Sequence, residues 1–177
     1  MDHSRGYRRI WNFAGLAACA SLFGYALYAQ HVAGLEPCPL CILQRVAVMA
    51  LGVVFLAAAL HDPRGWIARA YGLLLAAVAL TGAGVAGWHV RLQHLPAREV
   101  PACGPGLEYM LDAFPLFEAM KMVFAGSGEC ADVDWSLVGL SMPAWVLISF
   151  VVLGGLGIVV NWSAGETEPA IKRIDPR

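Results

Sequence analysis

Four stretches of predominantly apolar residues, at about 10–30, 39–60, 66–88 and 143–162, constrain this chain more than any other feature. A helix needs about 20 such residues to cross a hydrocarbon core of roughly 30 Å. Inside that core only helices and closed barrels satisfy every backbone polar group. Composition agrees: 59% of the 177 residues are hydrophobic and 14% charged, and mean hydropathy is +0.62, whereas roughly 25% charged is usual for a soluble domain. The expected fold class is an all-α membrane protein, an antiparallel four-helix transmembrane bundle. Residues 1–165 would form a single four-span membrane domain, followed by a tail at 166–177.

Four crossings put both termini on one side, and Lys and Arg near span ends decide which. Arg5, Arg8 and Arg9 precede the first span, Arg64 and Arg69 flank the second connection, and Lys172, Arg173 and Arg177 follow the last span. The opposite face carries Arg91, Arg98 and Lys121 against Glu99, Glu108, Asp112, Glu118, Glu129, Asp132 and Asp134. Both termini are therefore expected in the cytoplasm, with loops at about 31–38 and 89–142 outside. Trp11, Trp66 and Trp162 would mark the inner interface and Tyr28, Trp88 and Trp135 the outer one, while Trp145 fits less neatly. Leu27-Tyr28-Ala29 is a poor cleavage site, so the first run reads as a retained span and not a signal peptide. A net charge of −1 carries no nucleic-acid footprint.

Small residues in the third run (Gly72, Ala76, Ala79, Gly84, Gly87) and in the fourth (Gly154, Gly155, Gly157) would let helices approach closely. Glycine is common in membrane helices, so no single position is decisive. His61-Asp62-Pro63-Arg64-Gly65 reads as a tight turn between antiparallel spans. In the long loop, Leu116, Phe117, Met120, Val123 and Phe124 recur at helical spacing opposite Glu118 and Lys121, with Pro115 to start the helix and Gly126 to end it. A short amphipathic helix joined to spans on either side is expected to lie on the outer membrane surface. The alternative is a helix of a small folded outer domain.

Of five cysteines, Cys38, Cys41, Cys103 and Cys130 lie at or beyond the edges of the apolar runs and Cys19 lies within one, which reads as two pairs and a buried bystander. Glu36-Pro37-Cys38-Pro39-Leu40-Cys41-Ile42-Leu43-Gln44-Arg45 opens the second span. A Cys-x-x-Cys pair there can bind metal, form a structural disulfide or shuttle electrons, and an outer location favours disulfide chemistry. No metal site is expected, because 26 residues separate Cys103 from Cys130 instead of a short ligand spacing. With Cys38 as N-cap and Pro39 as first helical residue, the positive helix terminus faces the sulfurs and favours a thiolate. Cys38, Cys41 and Arg45 at i, i+3 and i+7 share one face, with Arg45 roughly 10 Å along the helix.

An arginine inside a span is a functional-site candidate or a residue snorkelling to headgroups. Beside a dithiol, its use would be to stabilise negative charge on an electron acceptor. The chain has no Cys-x-x-Cys-His and no glycine-rich dinucleotide fingerprint, so elimination points to a lipid-soluble quinone. Cys103 and Cys130 would be either a structural or a redox pair. His89, beside Trp88, would either donate to a bound headgroup or sit solvated at the interface.

From end to end the chain resembles the DsbB family, bacterial inner-membrane enzymes that reoxidise a periplasmic dithiol oxidase with quinone. The resemblance rests on Leu35 to Ile42 with Gln44-Arg45, on His89-Val90 with Leu92-Gln93, on Ala102-Cys103, on Gly126 to Ala131, and on Trp135, Gly139-Leu140 and Met142 to Trp145. It implies that Cys38 and Cys41 pass electrons to ubiquinone or menaquinone, with Cys41 facing the quinone ring. Arg45 and His89 would support quinone binding. Cys103 would form the mixed disulfide with a DsbA-like periplasmic thiol oxidase, and Cys130 would be its loop mate. The Pro39-Leu40 dipeptide would tune a reduction potential that the resemblance does not carry over; roughly 30 mV is 1.4 kcal/mol for a two-electron couple.

Two rival readings have different consequences. A reductase of vitamin-K-epoxide type also pairs a four-helix bundle with loop cysteines, but its reactive Cys-x-x-Cys lies late in the chain, whereas here it opens the second span. A membrane scaffold with two inert disulfides would pass no electrons.

Overall fold

The computed structural model describes residues 3–96, 99, 112–125, 128–133 and 135–162. Cys103, Gly126 and the tail at 166–177 lie outside the described residues. In chain order the elements are α1 (His3–His31), α2 (Pro39–His61), α3 (Trp66–Gln93), α4 (Leu116–Ala125), α5 (Gly128–Ala131), β1 (Ser136–Leu137), β2 (Leu140–Ser141) and α6 (Met142–Trp162). Among the described residues, α1, α2, α3 and α6 are long and apolar enough to cross a membrane, and they pack as an antiparallel bundle. Large apolar side chains such as Ile10, Val53, Leu80 and Val151 are more than 60% exposed on its outside. A bundle that is apolar outside as well as inside is suited to lipid.

Packing follows the small residues, though not at every position. α3 and α6 make the most extensive helix pair. A Cβ on Gly154 would fall 2.7 Å from Ala79 Cβ, and one on Gly157 2.9 Å from Leu75 Cβ. Gly82, which the spacing argument does not single out, makes room for the Phe150 ring. Gly84, Gly87 and Gly155 face open space, so at these positions glycine does not mediate helix contact. Phe55, Leu51, Leu75, Phe150 and Cys19 form the central core, with Cys19 against Gly52. Cys19 is the small buried hydrophobe expected of it.

The end of the bundle far from Cys38 is fastened by polar pairs that periodicity does not reveal. Arg8, 4% exposed, donates from Nη2 (2.7 Å) and Nε (3.2 Å) to Asp62 Oδ1. Asp62 is the left-handed C-cap of α2, with φ 41°, a conformation that Asp tolerates better than most residues. Asn12 and Asn161, both fully buried, exchange amide hydrogen bonds of 3.3 and 3.2 Å, and each also donates to the carbonyl one turn before it. Buried polar groups in such a bundle are tolerated because they are paired.

One small element departs from an all-helical reading. Ser136 pairs with Ser141 and Leu137 with Leu140, closing a hairpin whose turn residues Val138 and Gly139 have φ of 55° and 76°. Positive φ at both positions is what a type I′ turn requires, and a β-branched residue fits it poorly. Val138 is 86% exposed, so Val138→Asn should stabilise the protein by about 1 kcal/mol. Thermal unfolding in detergent would check this, and an unchanged or lower Tm would contradict it.

Candidate dithiol site

Cys38 is the N-cap of α2, in extended conformation (φ −66°, ψ 164°), and Pro39 is its first helical residue. Proline suits that position because its missing N–H would have no helical partner there. The helix then carries Cys41 back over Cys38, with the two sulfurs 3.3 Å apart and not bonded. Pro39 and Leu40 between them are buried. Cys38 and Leu40 join Leu92 of α3, Val123 of α4 and Cys130 of α5 in a second apolar cluster at this end of the bundle. The dithiol is therefore shielded on one side by packed side chains.

On its other side is a cavity of about 160 Å³, lined mainly by apolar groups and bordered by Cys38, Cys41, Arg45, His89, Tyr25 and Trp145. An apolar cavity of roughly 150 Å³ can hold a single six-membered aromatic ring. Arg45 reaches across to α1, donating from Nη1 to Gln30 Oε1 and from Nη2 to the Ala26 carbonyl at 3.0 Å. These bonds hold its guanidinium at the cavity edge, while its other N–H groups keep donor capacity. Trp145, which fits the aromatic belts less neatly in the sequence, donates its indole N–H to the Leu137 carbonyl at 3.1 Å and forms part of the cavity wall.

His89 is 2% exposed, so it is neither solvated nor at an open interface. Its Nε2 lies 3.8 Å from Cys38 Sγ, and its Nδ1 lies 2.9 Å from Gln44 Nε2. The ligand atoms of Cys38, His89 and Cys130 all lie within 4.8 Å of one another. α5 thus delivers a third sulfur to the dithiol, although nearly ninety residues of chain separate it from Cys41. The same trio has metal-ligand chemistry that the spacing of the cysteines does not disclose. Trp88 Nε1 to the Phe124 carbonyl (2.8 Å) and Ser141 Oγ to Gln93 Oε1 (2.6 Å) tie α4 and the hairpin to the end of α3.

Cys38, Cys41, Arg45 and His89 are thus gathered on one cavity, with Cys130 behind Cys38. Gln44 has no role assigned from the sequence, yet a signal was present: a polar residue in an apolar run, on the same turn as Cys41. The approach of Cys130 had no local signal.

Four apolar helices closing over paired sulfurs define a multi-pass membrane protein equipped for thiol–disulfide chemistry. The family model described as Disulfide bond formation protein DsbB matches residues 8–160. The chain belongs to the DsbB family, whose role is disulfide bond formation. It is 54% identical over 155 residues to Disulfide bond formation protein B of Nitrosococcus oceani, covering 88% of this chain and 90% of that one. It is 55% identical over 150 residues to the protein of the same name from Methylococcus capsulatus (85% and 92% covered). With that of Acinetobacter baumannii it shares 52% over 162 residues (90% and 93% covered).

Proposed function

We propose that this protein is a thiol:quinone oxidoreductase of the bacterial inner membrane that reoxidises a DsbA-like periplasmic dithiol oxidase. The observation that carries the reading is the convergence of Cys130 on Cys38, with Cys41 and Arg45 on an adjoining cavity of ring size. Arg and Lys flanking the spans favour cytoplasmic termini and a periplasmic dithiol. The exposed rings of Phe117 and Phe124 beside buried Val123 suit an α4 lying in the headgroup layer.

In the relay, a thiolate of the reduced partner attacks Cys103 of a Cys103–Cys130 disulfide and Cys130 leaves as a thiolate. Cys130 then attacks Cys38 of a Cys38–Cys41 disulfide, and Cys41 leaves as a thiolate on the cavity side. The partner's second thiolate then resolves its mixed disulfide with Cys103, and the partner leaves oxidised. The freed Cys103 attacks Cys130, restoring Cys103–Cys130 and leaving Cys38 and Cys41 as the reduced dithiol that supplies two electrons and two protons. Each exchange forms one S–S bond and breaks one. A quinone bound in the cavity, ubiquinone or menaquinone, supplies the acceptor for two electrons and two protons. The residues fit such a group: apolar walls take the ring, and Arg45 offers donors to an oxygen that gains charge. Arg45 is held ready for this by its two bonds to α1.

The test is to mix purified protein in detergent with each quinone and a reduced dithiol oxidase, and to follow quinone absorbance. Reduction well above the protein-free rate is expected. No reduction with either quinone would refute the proposal and leave a scaffold with inert disulfides as the better reading.

A further inference from the structure

Gln44 and His89 are both nearly inaccessible, at 4% and 2% exposure, within an apolar bundle. Polar groups so placed are costly unless bonded, and these two are bonded to each other. Gln44 Nε2 has only hydrogens to offer, so His89 Nδ1 accepts from it at 2.9 Å. A neutral imidazole that accepts at Nδ1 carries its one proton on Nε2. That nitrogen faces Cys38 Sγ at 3.8 Å, within hydrogen-bonding range for sulfur.

We propose that Gln44 is a positioning residue of the dithiol site, holding His89 in the Nε2–H tautomer so that the imidazole serves Cys38 as a hydrogen-bond donor and not as its base. A donor aimed at the sulfur stabilises the negative charge that it carries when it reacts. Because Nε2 already holds a proton, the proton that leaves Cys38 goes elsewhere. Around the pair, α2 contributes Cys41 and Arg45, the preceding connection Glu36, α3 His89 itself, and the α5 region Glu129, Cys130 and Asp132. The carboxylates of Glu36, Glu129 and Asp132 border the same cavity.

The use made of the Cys38 thiolate rests on the relay reading, but the tautomer and the sulfur's reactivity do not. The experiment therefore reads the latter two on full-length protein in detergent. First, ¹⁵N shifts of histidine-labelled wild-type protein should show His89 protonated at Nε2 and bare at Nδ1 near pH 7. A protonated Nδ1 would overturn the proposal without any variant.

Second, in a background of Cys19→Ala, Cys41→Ser, Cys103→Ser and Cys130→Ser, iodoacetamide should alkylate Cys38 about tenfold faster with Gln44 present than with Gln44→Leu, the size of effect expected from losing one hydrogen bond to a sulfur that carries charge as it reacts. Gln44→Met, closer in shape to glutamine, covers the case in which the leucine variant does not fold. Unchanged alkylation with retention of the Nε2–H tautomer in either folded variant would refute the positioning role. Wild-type protein with the expected tautomer and Gln44 dependence but no quinone reduction would instead refute the relay.

Discussion

Cys41→Ser should leave quinone unreduced by the soluble dithiol partner, a loss on the order of a thousandfold or more, as for removal of a covalent nucleophile. Serine cannot form the disulfide with Cys38, 3.3 Å away in the native site, so Cys130 has no S–S bond to break. Cys130→Ser should behave differently. It preserves Cys38, Cys41, Arg45 and the cavity, so a small dithiol that reaches the cavity directly should still drive quinone reduction, while the protein partner should not. Absorbance assays with both donors separate the two variants. If Cys41→Ser reduced quinone at the wild-type rate, the relay would be wrong. Full activity of Cys130→Ser with the protein partner would remove Cys130 from it.

Gly154→Leu should destabilise the bundle while Gly155→Leu, one residue on, should not. A Cβ on Gly154 would lie 2.7 Å from Ala79 Cβ, a contact with no flexible end to move aside, whereas one on Gly155 meets nothing within 4 Å. Overpacking of this kind costs about 1–3 kcal/mol, and here the strain falls on α3 against α6, the largest helix interface. Thermal unfolding in detergent should give a Tm lower by several degrees for the first variant and near wild type for the second. Equal effects would mean that leucine's bulk in the membrane phase, not helix contact, governs stability.

Both predictions use relations that the sequence contains only in part. The small residues of the third and fourth runs announce close packing, but the periodicity does not tell Gly154, which touches Ala79, from Gly155, which does not. Gly82 gives no more signal than its neighbours until Phe150 is seen lying over it. The Asn12–Asn161 exchange and the Arg8–Asp62 bridge join residues that are remote in the chain. Each side chain alone reads as an isolated polar residue near a span end.

What the sequence determined by itself is whatever depends on local geometry and on the solvent. Runs of about 20 apolar residues must become spanning helices because lipid leaves the backbone no other partner. Cys38, Cys41 and Arg45 must share a face because 3.6 residues make a turn, and Pro39 opens α2 because it lacks an N–H. Tertiary structure alone decided what that face meets. It brought Cys130 from a separate helix to Cys38, buried His89 between Gln44 and the sulfur, and anchored Arg45 on α1. These are contacts between helix faces far apart in the chain. Helical periodicity fixes which residues share a face, and only the packing of whole helices fixes which faces touch.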